Sequence, residues 1–266
     1  MIDQTDIADA DRGVIAQLQT LKVVEPPTNI RPTVLFTLEL ADRYFELDSA
    51  AGRVYIAYNQ RGISYIERVA DSGDFAAEFR ARFNRPVFPD ADPPARLARQ
   101  VERVLRGDTR RLPAVDLSSV TEFERQVLLK ALEIPYGQVR PYTWIARHIG
   151  RPKAQRAVGS ALAGNPIPLL IPCHRVVRSD GIIGNYGLGG PEVKRRLLAY
   201  EGANIERLER VARHGNRYIG SDTTHIYCFP TCSHGKRLTE KHLVEFASIE
   251  DAQAKGYRAC KSCRPD

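Results

Sequence analysis

Asn165-Pro166-Ile167-Pro168-Leu169-Leu170-Ile171-Pro172-Cys173-His174-Arg175-Val176-Val177 is an apolar run, broken by three prolines, that delivers a cysteine into a histidine and an arginine. Proline lacks a backbone donor and locks its own φ, so the run cannot continue as an ordinary helix. It reads as an extended, buried segment that holds Cys173 rigidly. A thiol becomes a competent nucleophile as its thiolate, a form that adjacent histidine and cationic groups favour. Most isolated Cys-His pairs are a core thiol beside a surface imidazole, so the surroundings carry the decision.

Those surroundings are basic. Residues 136–215 hold 13 Lys and Arg against 5 Asp and Glu, a net of +8, so the rest of the chain, whose total is +7, sums to −1. A cationic excess confined to the segment around Cys173 suits a polyanion such as nucleic acid. The chain is long enough for one large domain or two to three small ones. It has no apolar run of bilayer-spanning length, which argues against a membrane role. Met1-Ile2-Asp3-Gln4-Thr5-Asp6 lacks the basic-then-apolar order of a signal peptide, and a cytoplasmic protein is expected. The five cysteines divide into Cys173 alone and a group formed by Cys228, Cys232, Cys260 and Cys263. In a reducing compartment that distribution suggests one special thiol and one four-thiol site.

An α+β fold is expected. A short helix is predicted around Val14–Leu21. The runs Val34–Leu38, Tyr44–Leu47, Val54–Tyr58 and Ile63–Ile66, rich in β-branched and aromatic residues, predict an antiparallel meander. Helical periodicity follows at Asp74–Phe83 and Ala95–Arg106. No His or Cys precedes His148, so this first third offers no chemistry. Thr121 with Glu124 three residues on is a capping box that opens a helix carrying Phe123, Val127, Leu128 and Leu132. Tyr142–Ile149, a Gly150-Arg151-Pro152 turn and Lys153–Leu162 then read as helix-turn-helix. The second helix is small-sided (Ala154, Ala157, Gly159, Ser160, Ala161), which lets it approach a narrow groove, with Lys153 and Arg156 facing phosphates or the duplex interior.

From about Thr121 to Gly202 the chain resembles the O6-alkylguanine-DNA alkyltransferase family (methylated-DNA–protein-cysteine methyltransferases). The resemblance is carried by Tyr142, Arg156-Ala157-Val158-Gly159, Gly164-Asn165-Pro166, Pro172-Cys173-His174-Arg175, Gly184-Asn185-Tyr186 and Leu198-Ala199-Tyr200-Glu201-Gly202. It implies a small α/β scaffold domain before a helical domain whose second helix enters the minor groove of double-stranded DNA. The alkylated guanine is flipped out, as chemistry on a base edge requires, and Arg156 matches the arginine that fills the vacated stack. Cys173 matches the nucleophile that takes the alkyl group from guanine O6. His174 matches the base acting through water, Glu201 the carboxylate that orients it, and Tyr142 the proton donor to the base. Asn165 matches the buttress of the turn, and Tyr186 a pocket residue. This is the nucleophile–base–orienter logic of a triad. Nothing in the pattern hydrolyses a thioether, so each Cys173 acts once. The loop Gly187-Leu188-Gly189-Gly190-Pro191 departs from the family pattern, and no residue beyond Tyr186 is carried over from it.

The C-terminal stretch carries C-x3-C at Cys228 and Cys232 and C-x2-C at Cys260 and Cys263. Two close pairs separated by a loop suit tetrahedral Zn²⁺ on four thiolates. A unit this small buries little apolar area, so the metal supplies folding energy. His225, His234 and His242 read as solvated. The flanking runs Thr223–Cys232 and Gly256–Asp266 resemble the metal-binding, methyl-accepting domain of the Ada family. There the first cysteine of the C-x3-C pair accepts a methyl from a methylphosphotriester, and Cys228 occupies its place.

The expected organisation is a 1–115 scaffold with a small antiparallel sheet, a 116–213 alkyltransferase unit with helix-turn-helix, and a 217–266 zinc domain. The expected function is DNA repair by a single-turnover methylated-DNA–protein-cysteine methyltransferase, acting as a monomer. The alternatives are a methylation-triggered DNA-binding sensor or regulator, and a Cys-His hydrolase.

Overall fold

The computed structural model describes residues 30–265, so the helix predicted around Val14–Leu21 lies outside the described residues. Helix α1 (Ile30–Thr37) precedes strands β1 (Asp42–Ser49), β2 (Gly52–Asn59) and β3 (Gly62–Arg68). The three strands pair antiparallel in sequence order. The strand predicted at Val34–Leu38 is therefore incorrect: that segment is helical, with Pro32 tolerated in its first turn. The fourth place in the sheet is taken by β4 (Val87–Pro89), which runs parallel to β1. The flanking prolines, which argue against a strand in the sequence, are compatible with this edge position. Helix α2 (Phe75–Phe83) is capped by Asp74, whose carboxylate accepts from Ala77 N. Its Phe75 and Phe79 pack with Ala57, Tyr65 and Val87 on one face of the sheet.

Helix α3 (Ala95–Leu105) turns Val101 and Val104 into the main core. Helix α4 (Glu122–Leu132) opens with the predicted capping box of Thr121 and Glu124. Strand β5 (Arg140–Pro141) leads without a break into helix α5 (Tyr142–His148), and helix α6 (Gln155–Ala163) completes the helix pair. Lys153 lies in the turn before α6 rather than inside it. A short 3₁₀ turn at Cys173–Arg175 runs into β6 (Val176–Val177), which pairs parallel with β5. Helices α7 (Gly190–Tyr200) and α8 (Ile205–Arg213) follow.

The C-terminal unit is a second four-stranded sheet with strand order β10-β8-β7-β9. Its strands are β7 (Tyr218–Ser221), β8 (Ile226–Cys228), β9 (Leu243–Phe246) and β10 (Arg258–Ala259), with helix α9 (Ile249–Ala254) before β10. One continuous cluster of buried side chains runs from Phe45 through Ile145 and Leu197 to Phe229 and Cys263. The cysteine-bearing sheet is thus packed against the helical unit rather than tethered beside it.

Candidate active site and metal centre

The proline-broken run is buried as predicted, but it is not extended. It doubles back: Ile171 N donates to Ile167 O at 2.9 Å, and Leu169 adopts a left-handed φ of 73°. Such a conformation in a branched residue costs roughly 1–2 kcal/mol, and surrounding contacts must hold it. The side chain of Asn165 does so from inside the turn. Its Oδ1 accepts from Ile167 N at 3.0 Å, while Nδ2 donates to Ile171 O at 3.0 Å and to Cys173 Sγ at 3.1 Å. The N-terminal sheet and helix α2 brace the same turn, through Ile66 N to Pro166 O at 2.9 Å and Arg82 Nη2 to Gly164 O at 2.8 Å. The first third, free of chemistry in the sequence, acts here as a brace.

Cys173 is 7% exposed. Burial pushes its thiol up, against the lowering effects of the Asn165 donor and the Lys194 ammonium. The resting group is a thiol that needs a base. His174 lies beside it, and burial lowers its pKa despite the opposing pull of Glu201, leaving a neutral imidazole. Its Nε2 donates to Glu201 Oε1 at 2.7 Å, whereas the buried Nδ1 makes no hydrogen bond among the described residues. A neutral ring that donates from Nε2 presents Nδ1 as an acceptor.

Glu201 also meets Arg175, and Gly137 N donates to its Oε2 at 3.0 Å. Gly137 has φ 69°, and a Cβ there would stand 2.4 Å from the Glu201 carbonyl oxygen, so only glycine fits this approach. Burial works to raise the Glu201 carboxyl, but His174 and Arg175 outweigh it and bring it down to about 2.

The rest of the pocket comes from three directions. Tyr142 opens α5 half-buried, with its pKa raised by burial and by Cys173. A Cβ on Gly184 would lie 3.8 Å from the Tyr142 hydroxyl, which places the Gly184-Asn185-Tyr186 loop against that ring. Tyr186 is buried, its ring edge-on to His174 at 6.0 Å between centroids. Lys194 was not anticipated from the sequence. It is 1% exposed, donates to Val176 O at 2.6 Å, and burial draws its pKa down to about 8. A cavity of about 60 Å³ beside Cys173 is bounded by Leu162, Asn165 and Gly187 on one side and by Glu67 and Arg82 on the other. Arg156 and Lys153 are both exposed.

The second centre is built by pairing two very short strands. β10 runs parallel to β8, and Cys260 N donates to Tyr227 O at 3.0 Å, which brings C-x2-C beside C-x3-C. The four sulfurs of Cys228, Cys232, Cys260 and Cys263 lie within 4.8 Å of one another, all buried. A tetrahedron of Zn–S bonds near 2.3 Å puts its sulfurs about 3.8 Å apart, so the set suits Zn²⁺. His225 and His234 are exposed and His242 is half-buried, none of them joining the sulfurs.

This centre is locked to the helix pair. Thr231, between the two cysteines of C-x3-C, accepts from Val139 N at 2.8 Å, and Trp144 Nε1 donates to Arg264 O at 3.1 Å. Arg140, 2% exposed, sits between Trp144 and Phe229 with its guanidinium carbon 5.8 and 5.1 Å from their rings. Two of its nitrogens donate to Val139 O and Gln138 Oε1, and its buried Nε has no partner among the described residues. Burial disfavours that charge, and the four sulfurs oppose the effect. Four thiolates on Zn²⁺ carry a formal charge of −2 by the count of ligand charges, and the buried guanidinium of Arg140 offsets half of it.

Residues 122–203 match the family described as 6-O-methylguanine DNA methyltransferase, DNA binding domain, and residues 207–266 match the metal binding domain of Ada. The methylated-DNA–protein-cysteine methyltransferase of Methanosarcina barkeri is 36% identical over 167 residues, covering 61% of this chain and 98% of that protein. The chain belongs to the methylated-DNA–protein-cysteine methyltransferase family. The family's Rattus norvegicus member is 57% identical over 81 residues, 30% of this chain and 39% of that protein, so the chain spans about two fifths of the mammalian relatives it matches. The bifunctional transcriptional activator/DNA repair enzyme Ada of Escherichia coli is 36% identical over 172 residues, 63% of this chain and 48% of that protein. The solved structure of Mycobacterium tuberculosis OGT in complex with DNA aligns with a TM-score of 0.51 at 31% identity, covering 63% of this chain and 99% of that one.

Within this methyltransferase family member the C-terminal module carries Zn²⁺ as its cofactor, and its four cysteines are the groups that would hold it. Three functional neighbours went unassigned in the sequence: Arg140, Lys194 and the Arg175 side chain. Their only signal was a cation in an otherwise apolar or motif-bearing stretch. No helix among the described residues is long and apolar enough to cross a membrane.

Proposed function

We propose that this protein repairs DNA by moving the alkyl group from O6 of guanine in duplex DNA irreversibly to its own Cys173. The observation that carries this reading is the buried, hydrogen-bonded set His174–Glu201–Arg175 directly following Cys173 in the chain, beside a helix pair that begins with Tyr142. His174 Nδ1, acting through water, takes the thiol proton. The Cys173 sulfur then bonds to the alkyl carbon as the carbon–O6 bond breaks, and the departing guanine takes a proton from the Tyr142 hydroxyl. Glu201 stabilises the imidazolium, and Asn165 and Lys194 favour the thiolate. Arg156 occupies the flipped base's place and Lys153 meets phosphate, with Tyr186 closing the pocket. The product is a buried thioether with nothing positioned to hydrolyse it, so one protein repairs one lesion.

The division of labour we propose follows three units. In the 1–115 unit the described sheet and helix α2 brace the active turn, residues 116–213 hold DNA and react, and the 217–266 unit holds Zn²⁺ on Cys228, Cys232, Cys260 and Cys263. The protein works as a cytoplasmic monomer. Cys228 is assigned first as a metal ligand, because it is 3% exposed and its loop is bonded to Val139. Methyl acceptance from a methylphosphotriester at Cys228 requires that loop to be uncovered.

Peptide mass spectrometry after mixing with duplexes carrying O6-methylguanine or a methylphosphotriester tests both parts. One methyl on the Cys173 peptide from the first duplex is expected, and its absence from zinc-loaded protein overturns the base-repair reading. A methyl on the Cys228 peptide from the second would make the module a second acceptor.

A further inference from the structure

At the seam between the helix pair and the zinc module is a cavity of about 140 Å³, many times the roughly 10–15 Å³ that one water needs. Its floor is the paired strand ends Pro141 and Val177. Its walls carry Thr143 and Arg147 from α5, Arg178 and Ser179 from the segment after β6, and Arg217 and Pro230 from the zinc module. Three arginines and two hydroxyls thus converge from both units on one opening.

The acidic neighbours are few. Arg178 is paired with Asp180 at 2.8 Å on the exposed surface. Arg147 and Arg217 are exposed and form no ion pair among the described residues, and both act on the exposed carboxylate of Glu250. Uncompensated guanidinium groups held near each other favour an anion with several acceptor oxygens. The place of the cavity in the chain names that anion. Pro141 on its floor is followed directly by Tyr142, and Val177 ends the strand that begins after the Cys173 turn. On the repair reading, in which a nucleotide is presented at Tyr142, the backbone phosphates flanking it are the anions nearest this seam.

We propose that this seam is a phosphate-binding site for the DNA backbone, assembled jointly by Arg147 and Arg178 of the alkyltransferase unit and Arg217 of the zinc module. The inference rests on the DNA-repair reading above. It gives the zinc module a part in the DNA footprint that needs no reaction at Cys228. An ordinary, charged phosphodiester is the ligand; a neutral methylphosphotriester loses the charge the arginines select.

The test is the salt dependence of binding of the full zinc-loaded chain to an undamaged duplex. Each phosphate that the protein no longer neutralises lowers the slope of log K against log salt by about 0.9. Arg217→Ala and Arg147→Ala are each expected to lower the slope by about that amount, while Arg110→Ala, a charge-matched change outside the cavity, leaves it nearly unchanged. Equal slopes for Arg217→Ala, Arg147→Ala and the unsubstituted protein overturn the proposal, as does an equal fall for Arg110→Ala, which would show only a diffuse field. Zinc content and thermal melting confirm that each variant is folded. Methylation of Cys173 by an O6-methylguanine duplex is scored in the same preparations: if it occurs while the slopes do not change, the seam fails and the repair reading stands.

Discussion

Arg175 grips both oxygens of Glu201, Nε to Oε2 at 2.9 Å and Nη2 to Oε1 at 2.9 Å, while its remaining nitrogen donates to Ile134 O at 2.8 Å. The carboxylate that orients His174 is therefore itself oriented by a planar, permanently charged fork. Lysine supplies a charge but not two parallel donors. Arg175→Met leaves a buried carboxylate half-paired and is expected to cost about 3–5 kcal/mol in urea unfolding. Arg175→Lys should lose less stability but still slow methyl transfer in single-turnover assays.

Acid should weaken the same node. The Glu201 carboxyl is held at about 2 against an ordinary value of 4.5, so its ionised form contributes roughly 3 kcal/mol of stability. Because the folded value is depressed, that contribution is fully present above the unfolded value near 4.5 and fades as pH falls toward 2. Glu201→Gln should show a flatter stability–pH curve across that interval than the unsubstituted protein, measured by chemical denaturation at each pH.

Asn165 is expected to act on both rate and fold. Asn165→Ala removes the donor to Cys173 Sγ and leaves Ile167 N without its acceptor, while Ile171 O keeps only the Cys173 N donor, at a cost of about 1–3 kcal/mol. Asn165→Asp keeps the shape but sets a carboxylate beside the sulfur, which disfavours the thiolate. Methyl transfer at neutral pH should therefore fall further for Asn165→Asp than for Asn165→Ala, with the gap narrowing as pH rises.

Trp144 offers a direct readout of the metal module, because it is the chain's single tryptophan and it donates to Arg264 O. Removing Zn²⁺ with a chelator takes away the energy that holds a small four-cysteine unit folded. Tryptophan emission should shift toward that of a solvated ring, and four thiols should become titratable, before the N-terminal sheet unfolds. An emission spectrum unchanged by full metal removal would show that the module stays docked without its ion.

Much of the site could be read from the sequence, because its residue types sit in short, contiguous motifs. The Thr121–Glu124 capping box, the helix pair and the two cysteine pairs are local patterns, and the structure places them where their spacing says. The Val34–Leu38 segment misled because its apolar, β-branched residues suit a strand, while the sheet edge it would have filled is taken by Val87–Pro89. The form of the Asn165–Cys173 turn was hidden for another reason: the left-handed Leu169 is sustained by side-chain hydrogen bonds that no propensity records. Arg82 and Lys194 were hidden because their partners lie far along the chain, at Gly164 and Val176, and Arg140 because the Phe229 ring and the cysteine cluster that surround it do so too. Long-range burial of a cation has no local signature.

The Trp144–Arg264 hydrogen bond joins residues 120 apart in the chain. During synthesis at about 5–20 residues per second, roughly 6–24 s separate the appearance of its two ends. Throughout that interval the underside of helix α5, and the buried charge of Arg140 beneath it, wait on the ribosome without their cover. The zinc module is in this sense a late-arriving lid for the reactive unit. A nascent chain that stalled before residue 228 would leave that apolar underside open to chaperones and aggregation.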